Sequence, residues 1–174
     1  LTTFVFHDIG HEPGSFAREH HLCTTPAVFQ HQVEWITHHY NVIHPDDLLA
    51  GEQLPEAAAL ITFDDGWAGT FGHGLPVLEE RGLPSVIFLN CGLLDGEPFA
   101  AAAATYLGKQ LAFRKFADAH GISPPYHLSL TPDRLSAFEA VHGISWCEGF
   151  DEYQGQFADR EILARWDGRD DVRF

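Results

Sequence analysis

One stretch of the sequence, Ala59-Leu60-Ile61-Thr62-Phe63-Asp64-Asp65-Gly66-Trp67, combines a strand pattern with two adjacent carboxylates. Its first five residues are almost continuously apolar, which is typical of a strand covered on both faces of a sheet. Gly66 follows the two aspartates, at a point where we expect the chain to turn. Two like charges at a buried strand end disfavour ionisation of both groups unless a cation lies nearby. The pattern therefore predicts a catalytic or metal-binding site, or a simpler role for the aspartates in capping the next helix.

Strands and helices alternate on both sides of this stretch. Further strands are predicted at residues 2–6, 41–43 and 85–89, and helices at about 26–40 and 70–81. Thr25 and Pro26 are a typical helix start, and Gly82 is a typical helix end. Alternation with short links predicts an α/β fold, with the strands in a parallel sheet or barrel.

Polar residues follow three of the predicted strands. His7 and Asp8 come after the first, Asp64 and Asp65 after the strand described above, and Asn90 after the next. In parallel α/β folds, functional residues collect at the carboxyl ends of the strands. We therefore expect these residues to share one neighbourhood.

The pattern changes after Gly92. Helices are predicted at residues 99–120, 131–143 and 153–166, and residues 172–174 have the pattern of a strand that is just beginning. We predict one domain in three parts: barrel strands and helices at 1–91, a helical insertion at 92–158, and a truncated return to the barrel at 159–174. The insertion is interpreted either as a lid over the site or as additional packing.

The chain is strongly acidic, with 25 Asp and Glu against 10 Lys and Arg and a formal net charge of -15. Such a surface repels nucleic-acid phosphates and anionic lipid headgroups, so we predict no nucleic-acid partner. No apolar run approaches the roughly 20 residues of a transmembrane helix, so we predict no transmembrane segment. The first seven residues lack the pattern of a signal peptide. The compartment is left open, with the cytoplasm slightly favoured, and so is the oligomeric state.

The stretch at 60–67 resembles the TFDDG motif of the polysaccharide deacetylases, the NodB-homology or carbohydrate esterase family 4 group. Residues 6–8, 29–49 and 75–89 resemble the segments around that motif, so that the resemblance covers about residues 4–90. It implies an irregular (β/α) barrel of NodB type, incomplete at the C-terminus. It also implies a metal-dependent hydrolase that removes N-acetyl (or O-acetyl) groups from a sugar or polysaccharide, in cell-surface glycan biosynthesis or modification.

The resemblance also implies roles for individual residues. Asp64 matches the family's catalytic base, and Asp65 matches the aspartate that binds a divalent metal ion, with zinc the first choice. His7 matches a histidine near the family's site, and Asp8 adjoins it. Trp67 is expected either to form part of a sugar-facing wall or to lie in the core.

The sequence departs from the family in its histidines. The family's other two metal ligands are histidines in an His-Ser/Thr-x-x-His motif on a later strand. The histidines after Asp65 do not have that spacing; they are His73, His120, His127 and His142. One carboxylate and one imidazole make a poor zinc site, because three protein ligands are usual.

Two hypotheses account for this departure. In the first, the chain is an incomplete deacetylase domain whose sequence stops before the histidine ligands. In the second, it is a non-catalytic carbohydrate-binding or assembly domain that keeps the fold without a complete metal site. We favour the first.

Overall fold

A computed structural model describes residues 1–51, 53–126, 129–143 and 145–174; His127 lies outside these residues. The strands are β1 (Thr2–Phe6), β2 (Asp8–Ile9), β3 (Cys23–Thr24), β4 (Asn41–Val42), β5 (Ala58–Asp65), β6 (Ser85–Leu89) and β7 (Val172–Arg173). The main sheet is parallel, with the order β1-β5-β6-β7, and β4 also pairs with β5. β2 and β3 form a separate parallel pair.

Strand β5 is the centre of the main sheet. Residues 58–63 are buried, as their apolar sequence predicts, and only the two terminal aspartates are partly exposed. Phe6 of β1 pairs with Phe63, and Leu89 of β6 pairs with Asp65. The α/β fold with a parallel sheet is thus confirmed. Among the described strands, β1 pairs only with β5 and β7 only with β6, so the pairing of these strands alone does not form a closed barrel.

Short helices connect the strands of the first half. They are α1 (Ser15–Glu19), α2 (Pro26–His39), α3 (Pro45–Leu49) and a π-helix (Thr70–Gly74) that continues directly into α4 (Leu75–Glu79). The hydroxyl of Thr25 accepts a hydrogen bond from the N–H of Val28, which confirms the predicted start of α2. The predicted helix at 70–81 is present, but its first turn is a π-helix.

The second half consists mainly of helices: α5 (Cys91–Leu94), α6 (Ala100–Lys109), α7 (Leu111–Ala119), α8 (Pro132–His142), α9 (Phe150–Gln154) and α10 (Arg160–Ala164). The predicted helix at 99–120 is two helices, because Gln110 has an extended backbone. The single helix predicted at 153–166 is wrong. Gly155 ends α9 with φ 93°, and Phe157 then forms an antiparallel bridge with Trp67.

Two large apolar clusters form most of the core, and a third, small one consists of Ile43, Ala58 and Leu60. The first lies between the sheet and its helices and includes Phe29, Phe63 and Ile87. The second lies among α6 to α9 and includes Phe113 and Phe138. Phe16 and Trp67, which come from the first half of the chain, belong to the second cluster. The helical segment therefore packs directly on the loop that follows β5. No helix in the described ranges has the length and apolar character needed to cross a membrane.

Candidate active site

The end of β5 places Asp64 next to His7. His7 follows β1 directly, and the last residues of the two strands pair in parallel register. Nε2 of His7 lies 4.0 Å from Oδ2 of Asp64, and both side chains are partly exposed, at 29% and 39%. The structure thus brings together His7, Asp64 and, through the chain, Asp65.

The chain turns sharply at Asp65 and Gly66, which have φ values of 68° and 78°. Asp is one of the few residues with a side chain that adopts this left-handed backbone readily. A Cβ atom at residue 66 would lie 2.8 Å from Cδ2 of Leu89, so a side chain there would also collide with β6. The turn therefore places Asp65 at the carboxyl-terminal edge of the sheet, beside β6.

Burial raises the pKa of the Asp65 carboxyl group. The nearby His7 and the indole N–H of Trp67 lower this pKa, and the adjacent Asp64 charge raises it further, but burial has the largest effect. A partly buried carboxylate with a raised pKa at the carboxyl end of a parallel strand is a typical feature of a functional site. Ion pairs with a purely structural role also shift pKa values, so the position of Asp65 at the end of β5 supports a functional role as much as its raised pKa does.

Thr70 fixes the position of His7. Its hydroxyl is fully buried and donates a hydrogen bond of 2.7 Å to the backbone oxygen of His7. The N–H of Thr70 donates to the backbone oxygen of Trp67, which begins the π-helix. One residue therefore ties the end of β1 to the loop after β5. The local sequence does not distinguish Thr70 as a functional residue, because a threonine before a helix is common and only its tertiary partner sets it apart.

The structure places Trp67 in the core. Its side chain is 1% exposed, and its ring lies 4.3 Å from that of Phe157 and 6.0 Å from that of Phe99, measured between centroids. Its Nε1 is buried and has no hydrogen-bond partner of ordinary geometry within the described residues. Of the two roles predicted for Trp67, the structure agrees with the core role, because the ring presents no face to a ligand.

Asp8 belongs to a different part of the surface from Asp64 and Asp65. It lies in β2 opposite Cys23, it is 9% exposed, and burial raises the pKa of its carboxyl group. It lines a cavity of about 910 Å³, to which His7, Asp64 and Asp65 do not contribute. This cavity is therefore separate from the predicted catalytic pair.

The described residues do not complete a metal site. Among them, no three His, Cys, Asp or Glu side chains lie close enough together to hold an ion. Zinc ordinarily takes at least three protein ligands. Asp65, near His7, could contribute one carboxylate, and this set alone does not fit a zinc ion.

The chain matches no protein-family model and none of the curated proteins. It is similar to several solved structures. A de-N-acetylase from Aggregatibacter actinomycetemcomitans is 21% identical, with a TM-score of 0.46, over 55% of this chain and 39% of that protein. The deacetylase PplD of Streptococcus pyogenes is 18% identical, with a TM-score of 0.44, over 55% of this chain and 45% of that protein.

A polysaccharide deacetylase from Bacillus cereus is 13% identical, with a TM-score of 0.40, over 94% of this chain and 53% of that protein. The chain spans less than half of the length of the first two structures. All three of these proteins are deacetylases.

Proposed function

We propose that this chain forms part of the active site of a hydrolase that removes acetyl groups from a sugar or polysaccharide, with Asp64 as the general base. The observation that supports this role is the pair of aspartates at the carboxyl end of β5, with His7 4.0 Å from Asp64. Asp64 is more exposed than the buried strand that leads to it, so water and an acetylated sugar can reach its carboxylate.

In the proposed reaction, water attacks the carbonyl carbon of an N-acetyl group, and Asp64 accepts a proton from that water. The C–N bond then breaks, the leaving nitrogen takes from Asp64 the proton that came from the water, and the amine and acetate are released. A positioned base within hydrogen-bond reach of the attacking water accelerates such a step by about 10²–10⁴-fold. His7, held through its backbone by Thr70, would orient the Asp64 carboxylate. An O-acetyl group would be hydrolysed in the same way, with an alcohol as the leaving group.

We propose in addition that Asp65 is one ligand of a divalent cation, with zinc the first choice. A cation there would favour the ionised form of this partly buried carboxyl group. The proposal requires further ligands from outside the described residues, because these residues provide no group of three. We propose further that the complete fold is an irregular (β/α) barrel of NodB type, to which this parallel sheet contributes. The proposed biological role is in the biosynthesis or modification of cell-surface glycans.

The base can be tested by measuring acetate release from a short oligomer of N-acetylglucosamine, with zinc added. Asp64→Asn keeps the size of the side chain but removes the base, so acetate release should fall by at least about 10²-fold. Asp118→Asn makes the same charge change at an exposed position of α7 and should leave the rate unchanged. Zinc binding, measured by calorimetry, should decrease in Asp65→Asn and not in Asp118→Asn.

Equal acetate release by the Asp64→Asn variant and the original chain would refute the role of Asp64 as the base. Failure to release acetate, together with oligosaccharide binding that does not depend on Asp65, would instead support the non-catalytic carbohydrate-binding alternative.

A further inference from the structure

The cavity beside Asp8 lies where three segments of the chain meet. Residues 10–14 form one wall, residues 68–73 contribute a second, and residues 151–156 of the helical half form the third. Its volume is about 910 Å³. Ligand sites in proteins typically measure about 300–1,000 Å³, so this space is large enough for a mono- or disaccharide.

Glycines allow the walls of this cavity to approach each other closely. A Cβ atom at Gly14 would lie 2.7 Å from both the N and Cα atoms of Gly155. A Cβ atom at Gly69 would lie 2.3 Å from Oδ1 of Asp8 and 2.4 Å from the backbone oxygen of Ile9. The walls are therefore set by backbone contacts that a larger residue would prevent. This feature indicates a defined cavity and not a gap between loosely placed side chains.

The base of the cavity is a buried carboxylate. Asp8 is more than nine-tenths buried and belongs to the lining of the cavity. The Cys23 thiol and the backbone N–H groups of Ile9 and Gly69 lower the pKa of the Asp8 carboxyl group, but burial has the larger effect and raises it, so these neighbours do not fully compensate for the buried charge. Burial of a carboxylate is costly unless a positive or hydrogen-bonding group compensates for it. An empty cavity next to such a group leaves room for a ligand to do so.

The rest of the lining is hydrophilic and mainly acidic. Glu12, Asp151 and Glu152 add three carboxylates to that of Asp8, and Arg18 is the permanent cation among the lining residues. The Arg18 guanidinium donates to the backbone oxygen of Pro13, so it is engaged with the wall. The lining contains histidine and glutamine side chains but no Leu, Ile, Val, Phe, Tyr or Trp. This chemistry favours a polyhydroxylated ligand with a positive charge.

We infer that this cavity binds a sugar with a free primary amine, whose ammonium group lies against Asp8. The hydroxyl groups of the sugar would be bound by the glutamines and carboxylates of the walls. A neutral N-acetyl sugar would bring no positive charge to this mainly acidic lining and should therefore bind more weakly. The inference does not depend on the proposed hydrolysis, because Asp64, Asp65 and His7 lie outside the cavity.

The test is a titration of the isotope-labelled chain, followed by NMR, with glucosamine and N-acetylglucosamine as separate probes at neutral pH. Glucosamine should shift the signals of residues 8–14 and 151–156 and bind at least about tenfold more tightly than N-acetylglucosamine, as expected for one hydrogen-bonded charge. Asp8→Asn should abolish this preference. Asp118→Asn, the matched charge change on α7, should preserve it.

Equal affinity for the two sugars, no binding of either, or an equal loss in Asp118→Asn would overturn the inference. If Asp8→Asn does not fold, the exposed Glu12→Gln serves instead and should weaken glucosamine binding severalfold; unchanged binding in that variant would count against the cavity. Asp64→Asn separates this site from the proposed reaction. It should bind glucosamine normally even though acetate release is lost.

Discussion

Replacement of Gly69 by alanine tests the contact between the loop after β5 and the strand pair that contains Asp8. The backbone at residue 69 is right-handed helical, with φ -64° and ψ -29°, so alanine can adopt it without strain. A side chain at residue 69 is therefore limited by the space available to it and not by the backbone conformation. The new Cβ would lie 2.3 Å from Oδ1 of Asp8 and 2.4 Å from the backbone oxygen of Ile9.

The size of the effect follows from two opposing contributions. Insertion of a methyl group into a packed site costs about 1–3 kcal/mol, and the upper end applies because one of the atoms met belongs to the backbone. A change from glycine to alanine also restricts the unfolded chain and returns about 0.4–1 kcal/mol. The net loss in the free energy of unfolding should thus be about 2 kcal/mol. For a chain of this size, that corresponds to a decrease in Tm of roughly 4–8 °C.

Gly72→Ala provides the matched control, because a Cβ atom at residue 72 would meet nothing within 4 Å. Gly72→Ala should keep only the stabilisation that comes from restricting the unfolded chain, about 0.4–1 kcal/mol. It should therefore unfold at the same temperature as the original chain or slightly above it. Thermal unfolding followed by circular dichroism measures both variants. If Gly69→Ala proved as stable as Gly72→Ala, residue 69 could not lie against Asp8 and Ile9, and the cavity wall would be misplaced.

Two further predictions concern the residues on either side of this contact. Thr70→Val removes the buried hydroxyl that donates to the His7 backbone oxygen, so it should lower the free energy of unfolding by about 1–3 kcal/mol. In the control variant Thr37→Val, the lost hydroxyl bonds only within α2, so the free energy of unfolding should change by no more than about 0.5 kcal/mol. Urea denaturation measures both variants. Burial raises the pKa of the Asp8 carboxyl group, so the folded chain binds this proton more tightly than the unfolded chain does. As the pH rises above the unfolded pKa of about 3.9, ionisation of Asp8 therefore lowers the free energy of unfolding. Asp8→Asn should therefore be more stable than the original chain at pH 7, and this difference in stability should disappear near pH 3. A difference that persists at pH 3, or a less stable variant at pH 7, would contradict a raised pKa for Asp8.

The elements with local signals were predictable from the sequence. The buried run of β5 predicts its place at the centre of the sheet, and Thr25 with Pro26 predicts the start of α2. The same applies to Asp64 and His7, since parallel strands bring their carboxyl ends to one edge. Their distance of 4.0 Å depends on the pairing of β1 with β5, a strand order that the alternating pattern does not specify.

The remaining features depend on contacts between distant parts of the chain. The apolar spacing predicts a helix at 153–166, but Phe157 pairs with Trp67 because the Trp67 ring is buried in the second cluster and the partly buried Phe157 packs against it. Asp8 follows His7 in sequence and was assigned to the same site, yet its pairing with Cys23 in a second small sheet directs it to a separate cavity. Nothing in the local sequence distinguishes a strand that ends at residue 6 from one that continues in another sheet at residue 8.

The contacts of the helical segment bear on whether it is a lid or a structural part of the site. The N–H of Ala68 donates to the oxygen of Gln156, and the N–H of Ala158 donates to the oxygen of Gly66. These bonds hold both sides of the loop that positions Asp65, and the Trp67 ring between them is buried against Phe157. A lid that opened here would break backbone hydrogen bonds and expose a large aromatic side chain, which is costly. Residues 155–158 are therefore better understood as a fixed wall of the candidate site, and any movement of the helical segment would have to occur elsewhere, in α6 to α8.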